Sequence, residues 1–170
     1  MIDDLALPVV LSARTGTVTL RDVTDADLDA LMALLADDPV SAARGDVADA
    51  SDRPRYAAAL RAVVENPANA LLVAQDQAGR LVGTFQLTRI PGMARQGSTR
   101  LLVEAVRVRS DLRSSGIGGA IMRWVTDSAA PALGVSLVQL TSDAARTDAH
   151  RFYERLGFIA SHVGFKYRVR

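Results

Sequence analysis

VRVRSDLRSSGIGGAIMRW, residues 106–124, joins an alternating apolar segment to a helical one through serines and glycines. A helix start leaves backbone N–H groups without partners. It also carries about half a positive charge from the aligned peptide dipoles. A phosphate placed there accepts several N–H bonds, and residues without bulky side chains let it approach. Gly116 and Gly118 lie two apart at that junction, with Arg113 three residues before Gly116. The spacing is not that of a Walker loop, because no Lys-Ser or Lys-Thr pair follows. It is not a dinucleotide fingerprint either, because no third glycine falls in register. Two readings stand at this point: an anion cradle and a plain strand-to-helix connector.

Arg100–Val108 reads as the strand that feeds this turn. Strict alternation puts Glu104 on one face with Leu102, Val106 and Val108. A carboxylate on an apolar face is costly unless paired, and burial would move it toward a usable general base. The alternatives are a structural pairing with one of the many arginines and a bulge in this strand that shifts the facing. Downstream, Ala149, Phe152 and Leu156 recur at helical spacing and form a core face, with Gly157 as the stop. Tyr153 points about 100° away from Phe152. Its hydroxyl serves either packing or proton donation to a leaving group. His150 has no Ser, Asp or metal partner and reads as a surface or capping residue.

Working outward, Thr17–Val23 alternates and reads as a strand. Thr24 caps a helix with Leu28, Leu31, Met32 and Leu35 inward. Pro54 opens a second helix with Tyr56, Leu60, Val63 and Val64 inward, ended by Asn66-Pro67. Residues 70–75 and 81–87 form a hairpin. Helices over 117–129 and 144–156 flank a strand over 136–141, and 158–170 reads as one or two final strands. Residues 1–16 read as an N-terminal extension, and 17–170 as a single domain. The order β-α-α-β-β-β-α-β-α-β-β predicts a mixed α/β sheet with helices on both faces.

Bulk properties agree. The 170 residues are 49% hydrophobic and 23% charged, with net charge +1 and no cysteine. Disulfides, thiolate metal sites and Cys nucleophiles are excluded, no metal is expected, and a reducing cytoplasm suits the chain. The balance gives no reason to invoke nucleic acid. No segment reads as membrane-spanning. Residues 1–53 hold 11 Asp against 4 Arg, a net −7, and the remainder carries +8. That asymmetry is either an acidic rim and a basic cofactor side, or scattered solvated charge.

These pieces resemble one family. Arg113-Ser114-Ser115-Gly116-Ile117-Gly118 is similar to the [RQ]-x-x-G-x-[GA] acyl-CoA pyrophosphate loop of the GNAT superfamily of N-acetyltransferases. Ala149–Phe158 resembles its A-x-x-F-Y-E-x-L-G-F signature, and Glu104–Val108 its fourth strand. The resemblance implies a GNAT fold: a central mixed, twisted sheet of six to seven strands flanked by four helices. It implies acetyl-CoA in a cleft where two strands splay apart, the pyrophosphate on backbone amides of Arg113, Ser114, Ser115, Gly116, Ile117, Gly118 and Gly119. Backbone groups around Val106, Arg107 and Val108 would pair with the pantetheine. Arg146 stands where relatives frequently carry a cofactor-binding Asn, and it either contacts a CoA phosphate or plays no part in binding. Tyr153 would protonate the CoA thiolate, and Glu104 would deprotonate the amine, directly or through water. The acceptor would be an amine of a small molecule or peptide, met roughly by 36–56 and 90–97, which hold Asp37, Asp38, Arg44 and Arg95, with Arg89 adjoining them. Relatives often pair through their final strands or flanking helices, so a homodimer is one reading; the alternating tail Phe165–Arg170 reads equally as a charged edge that avoids pairing. A CoA-binding regulatory module without catalysis is the alternative.

Overall fold

A computed structural model describes residues 2–43 and 45–169. Six strands form one sheet in sequence order: β1 (Val9–Ala13), β2 (Gly16–Asp22), β3 (Asn69–Gln75), β4 (Leu81–Ile90), β5 (Arg100–Val108) and β6 (Leu137–Leu140). The first five pair antiparallel, and β5 pairs parallel with β6. The helices are α1 (Leu28–Ala36), α2 (Pro39–Ala42), α3 (Arg53–Val64), α4 (Ala94–Gly97), α5 (Ile117–Trp124), α6 (Ala130–Ala132) and α7 (Thr147–Arg155). Within α4, Arg95 and Gln96 are left-handed, so it is a turn rather than a helix. A π-helical turn, Val125–Ala129, joins α5 to α6.

The alternation of the strands sorts the core into two layers. Val23 and Val73 pack with Leu28, Leu31, Met32 and Leu60 of α1 and α3. Leu20, Leu72, Phe85, Leu87, Leu101 and Val103 pack on the other face with Ile117, Ile121, Met122 and Trp124 of α5. That is the mixed, two-layered α/β architecture expected from the element order, with α1, α3, α5 and α7 as the main flanking helices.

Four details differ from the sequence reading. Within 1–16, read as an extension, Val9, Leu11 and Ala13 turn toward the core as alternate residues of β1, and Ile2 is buried. Pro8 only precedes this strand; it does not break it. In α1, Leu34 is buried where Leu35 was expected to lead, because the helix starts at Leu28 after a 3₁₀ turn over Asp25–Asp27. In α3, Val64 is exposed, being in the last turn beyond the reach of α1. The expected strands over 158–170 are absent from residues 158–169, and Ile159, Val163, Phe165, Tyr167 and Val169 are 80–93% exposed. Alternation makes a strand possible, but only a hydrogen-bonded neighbour makes it one.

Candidate active site

The glycine turn is built on packing first. After β5 a 3₁₀ turn over Ser110–Leu112 hands the chain to Arg113, then Ser114 at φ 62° and Gly116 at φ 93°. A Cβ on Gly116 would sit 2.8 Å from the Arg14 backbone nitrogen, at the β1–β2 turn. A Cβ on Gly118 would meet only the Phe152 ring at 3.5 Å and Val108 at 3.7 Å. So Gly116 is required by its left-handed backbone and by the hairpin beneath it, whereas Gly118 faces α7. The Ala120 amide closes the first helical bond to the Gly116 carbonyl at 2.9 Å. The amides of Ile117, Gly118 and Gly119 precede that bond and have no partner inside the helix. Ser115 is buried, and its hydroxyl has no hydrogen-bond partner among the described residues. A buried donor beside free amides fits an anionic ligand, as a CoA pyrophosphate would be. Asp37 braces the turn: it accepts from the Ser110 amide at 2.6 Å and hydroxyl at 2.8 Å, and its carbonyl accepts from Arg113 at 3.3 Å.

Beside this turn the sheet opens. β5 and β6 pair only from Arg100–Leu137 to Val103–Leu140, and β5 then runs on without its neighbour. The departure coincides with a bulge. Glu104 pairs with Gln86 and Arg107 with Thr84, so Ala105 and Val106 together oppose Phe85. Ala105 takes the left-handed backbone at φ 51°. This corrects the strict alternation read from sequence. The surplus residue turns Val106 and Val108 toward the α5 core, where both pack, and leaves Glu104 and Arg107 on the opposite face. Glu104 is exposed rather than buried, because its face is polar here, shared with Gln86 and Thr88, which both bond to Asn69.

Arg107 is the charged centre of that face. It donates to the Val106 carbonyl at 2.8 Å and to Ser41 Oγ at 2.6 Å. Its Nε is buried without a partner, and it forms no ion pair among the described residues. Burial lowers its pKa, opposed by the charge of Asp38 and reinforced by that of Arg146. Asp38 caps α2 by accepting from the amides of Val40 and Ser41 at 2.9 and 3.1 Å, and it is ion-paired with Arg146. Burial pushes the Asp38 carboxyl up, but the Arg146 bond, the Ser41 amide and both guanidinium charges hold it below the usual range. Arg146, assigned by resemblance to a CoA phosphate, thus has an internal partner and serves as the N-cap residue of α7.

Tyr153 projects from α7 between Phe152 and Phe158, with ring centroids 5.1 and 5.9 Å away in edge-to-face geometry. Its hydroxyl makes no hydrogen bond among the described residues. Burial raises its pKa, while Arg107 and Arg146 draw it back down. The phenol therefore stays protonated at neutral pH and faces two cations that would stabilise its phenolate. His150 donates through Nε2 to the Asp143 carbonyl at 2.9 Å, a capping contact. Asp46, not singled out from sequence, accepts from the Tyr56 hydroxyl at 2.5 Å and pushes it up to about 12.

The structure thus brings Arg107, Arg146 and Tyr153 within electrostatic reach of one another at the opening, beside the Arg113–Gly119 turn. Of the loop residues expected to meet an acceptor, Asp37 and Asp38 have internal partners, and Arg44 lies outside the described residues. Arg95 is exposed on its left-handed turn, and Arg89 has a buried Nε without a partner. Ser41 and Asp46 went unnoticed in the sequence. Asp38-Pro39 carries the cap-plus-Pro signature that predicts α2 and hence the place of Ser41; nothing local marks Asp46.

A mixed sheet with these layers, a splayed β5–β6 pair and an anion-ready turn at its mouth suits a phosphate-bearing ligand lying along β5. The sequence matches the model of the acetyltransferase (GNAT) family over residues 28–158, and the chain belongs to that family. It is 35% identical over 63 residues to an aminoalkylphosphonate N-acetyltransferase of Salmonella typhimurium, a match spanning 37% of this chain and 40% of that protein. The structure resembles a transcriptional regulator from Bacillus halodurans C-125, at TM-score 0.81 and 37% identity, covering 89% of this chain and 99% of that one. A glucosamine-6-phosphate N-acetyltransferase from Arabidopsis thaliana shares the fold, at TM-score 0.72 and 15% identity over 90% of this chain and 99% of that one. Among the described residues no helix is long and apolar enough to cross a membrane.

Proposed function

We propose that the protein is a cytoplasmic N-acetyltransferase that moves the acetyl group of acetyl-CoA to a primary amine by direct attack. The observation that carries this reading is Tyr153. A half-buried phenol, protonated, without a hydrogen-bond partner among the described residues and facing two guanidinium groups, is a proton donor poised at an opening. Backbone amides of the Ser114–Gly119 turn would hold the pyrophosphate, and the unpaired run of β5 after Val103 would receive the pantetheine.

In the reaction the amine nitrogen attacks the thioester carbonyl and forms the new C–N bond. The C–S bond then breaks, and the departing sulfur takes the Tyr153 proton. Arg107 and Arg146 stabilise the phenolate left behind. Glu104, exposed on the adjoining polar face, takes the surplus ammonium proton directly or through one water. The test is a panel of amines scored by released CoA thiol. Turnover by at least one amine, lost in Tyr153→Phe with acetyl-CoA binding kept, supports the reading.

A second reading, a CoA-binding regulatory module, is favoured by the transcriptional regulator among the structural relatives. Binding of acetyl-CoA with no thiol released from any amine would select it. Two copies are proposed to pair through residues 159–169. The exposed apolar side chains there and the free outer edge of β6 among the described residues support that pairing.

A further inference from the structure

The β5 bulge places Glu104 and Arg107 on one face although they are three apart in sequence. Their partners Gln86 and Thr84 are two apart on β4, so the two positions lie roughly 7 Å from each other along the sheet. One carries the carboxylate assigned to the ammonium proton; the other is a cation that feels the charges of Asp38 and Asp46 but has no ion pair of its own among the described residues. The carboxylates around Arg107 are committed elsewhere. Asp38 holds Arg146 and the α2 amides, and Asp46 holds Tyr56. Among the described residues Arg107 donates to neutral acceptors, a carbonyl and a hydroxyl, and its Nε has no hydrogen-bond partner. A half-buried guanidinium that has no ion pair among the described residues is costly for folding alone. Its planar fork of donors matches a carboxylate or a phosphorus oxyanion. The CoA pyrophosphate has its own seat at the Ser114–Gly119 turn, beyond the end of β5.

We infer that Arg107 anchors an oxyanion of the acceptor, so that the amine acetylated here is a small molecule that also carries a carboxylate or a phosphonate. The inference rests on the acetyltransferase reading for the place of the amine, and on the geometry alone for the anion. The amine end would lie toward Glu104 and the thioester, and the anionic end against Arg107 with Ser41 behind it. Arg107 then sets the choice of acceptor and the distance between amine and anion.

The experiment compares three matched amines, 2-aminoethylphosphonate, β-alanine and ethanolamine, by thiol release. The expected wild-type result is a kcat/KM for one or both anionic amines roughly ten- to a hundredfold above ethanolamine, as a charge-assisted bond gives. In Arg107→Gln that ratio collapses toward one through acceptor KM, while acetyl-CoA KM holds. Arg107→Lys retains part of the preference. Equal wild-type use of ethanolamine overturns the anchor and leaves the acetyltransferase reading standing. A parallel arm needs no turnover: methylphosphonate and propionate are tested as probes of thermal unfolding with CoA saturating. A rise in Tm in the wild type that is absent in Arg107→Gln supports the anchor, even where no amine is acetylated. The probe that acts tells phosphonate from carboxylate. No rise with either probe, together with no anionic preference in turnover, overturns it. Cooperative unfolding of Arg107→Gln without probes separates lost binding from lost folding.

Discussion

Gly116→Ala and Gly118→Ala differ by one methyl each, two positions apart, and should have opposite effects. At Gly116 the backbone is left-handed, φ 93°, which costs an alanine about 1 kcal/mol. The new Cβ would also lie 2.8 Å from the Arg14 nitrogen and 3.0 Å from its Cβ. Backbone cannot swing aside, so overpacking adds about 1–3 kcal/mol. The sum is a loss of about 2–4 kcal/mol. With a urea m-value of about 2 kcal/mol/M, the unfolding midpoint falls by about 1–2 M. At Gly118 the backbone is helical, and the methyl meets Phe152 at 3.5 Å, an ordinary contact. Alanine there gains helix propensity, up to about 1 kcal/mol. Urea titration by far-UV circular dichroism reads both, and acetyl-CoA titration of the two variants shows whether the cradle survives. Gly118→Ala should bind acetyl-CoA within a fewfold of wild type, because its methyl points at α7 and not toward the loop amides. Equal midpoints for the two variants, or a Gly116→Ala loss under about 0.5 kcal/mol, would refute the packing argument.

Further outcomes follow from other contacts. Tyr153→Phe should lower kcat by roughly 10²–10⁴ with acetyl-CoA affinity unchanged, read by stopped-assay thiol release and calorimetry. Asp27 is held at about 2 by its two bonds to Arg21, helped by the Thr24 amide and hydroxyl and opposed by burial. Its folded pKa lies below the unfolded value, so about 2 kcal/mol of stability is present above pH 4 and drains away as pH falls through 2. Asp27→Asn should flatten that limb of the stability–pH curve measured by thermal melts. Phe165→Asp with Tyr167→Asp should convert a dimer to a monomer in light scattering; a wild-type monomer would dispose of pairing through the tail.

Much of this was legible before any coordinates. The turn at Arg113–Gly118 and the Phe152-Tyr153 helix announced themselves, because their residue types have few other uses in that order. Leu60 of α3 and the partly buried Phe152 and Leu156 of α7 followed from helical spacing, although Val64 did not. What escaped was non-local. A bulge that would turn Glu104 outward was one open reading, but no residue marks it here: Ala105, not glycine, takes the left-handed conformation. The packing demand on Gly116 escaped notice because Arg14, a hundred positions earlier, is invisible as its neighbour. Strand β1 was missed because five residues after a proline carry too little pattern. The segment after Phe158 was read as strand because alternation is a side-chain property, whereas pairing belongs to the partner.

The bulge has one more consequence. Removing Ala105 alone would leave Glu104 opposite Gln86, Val106 opposite Phe85 and Arg107 opposite Thr84, with every side chain on its present face. What would change is the path of the strand: without its surplus residue β5 loses the bend that accompanies its departure from β6. The opening is thus written in the length of the chain and not in the chemistry of any side chain. A scan of point substitutions across this strand would pass over it, and a single-codon deletion would find it.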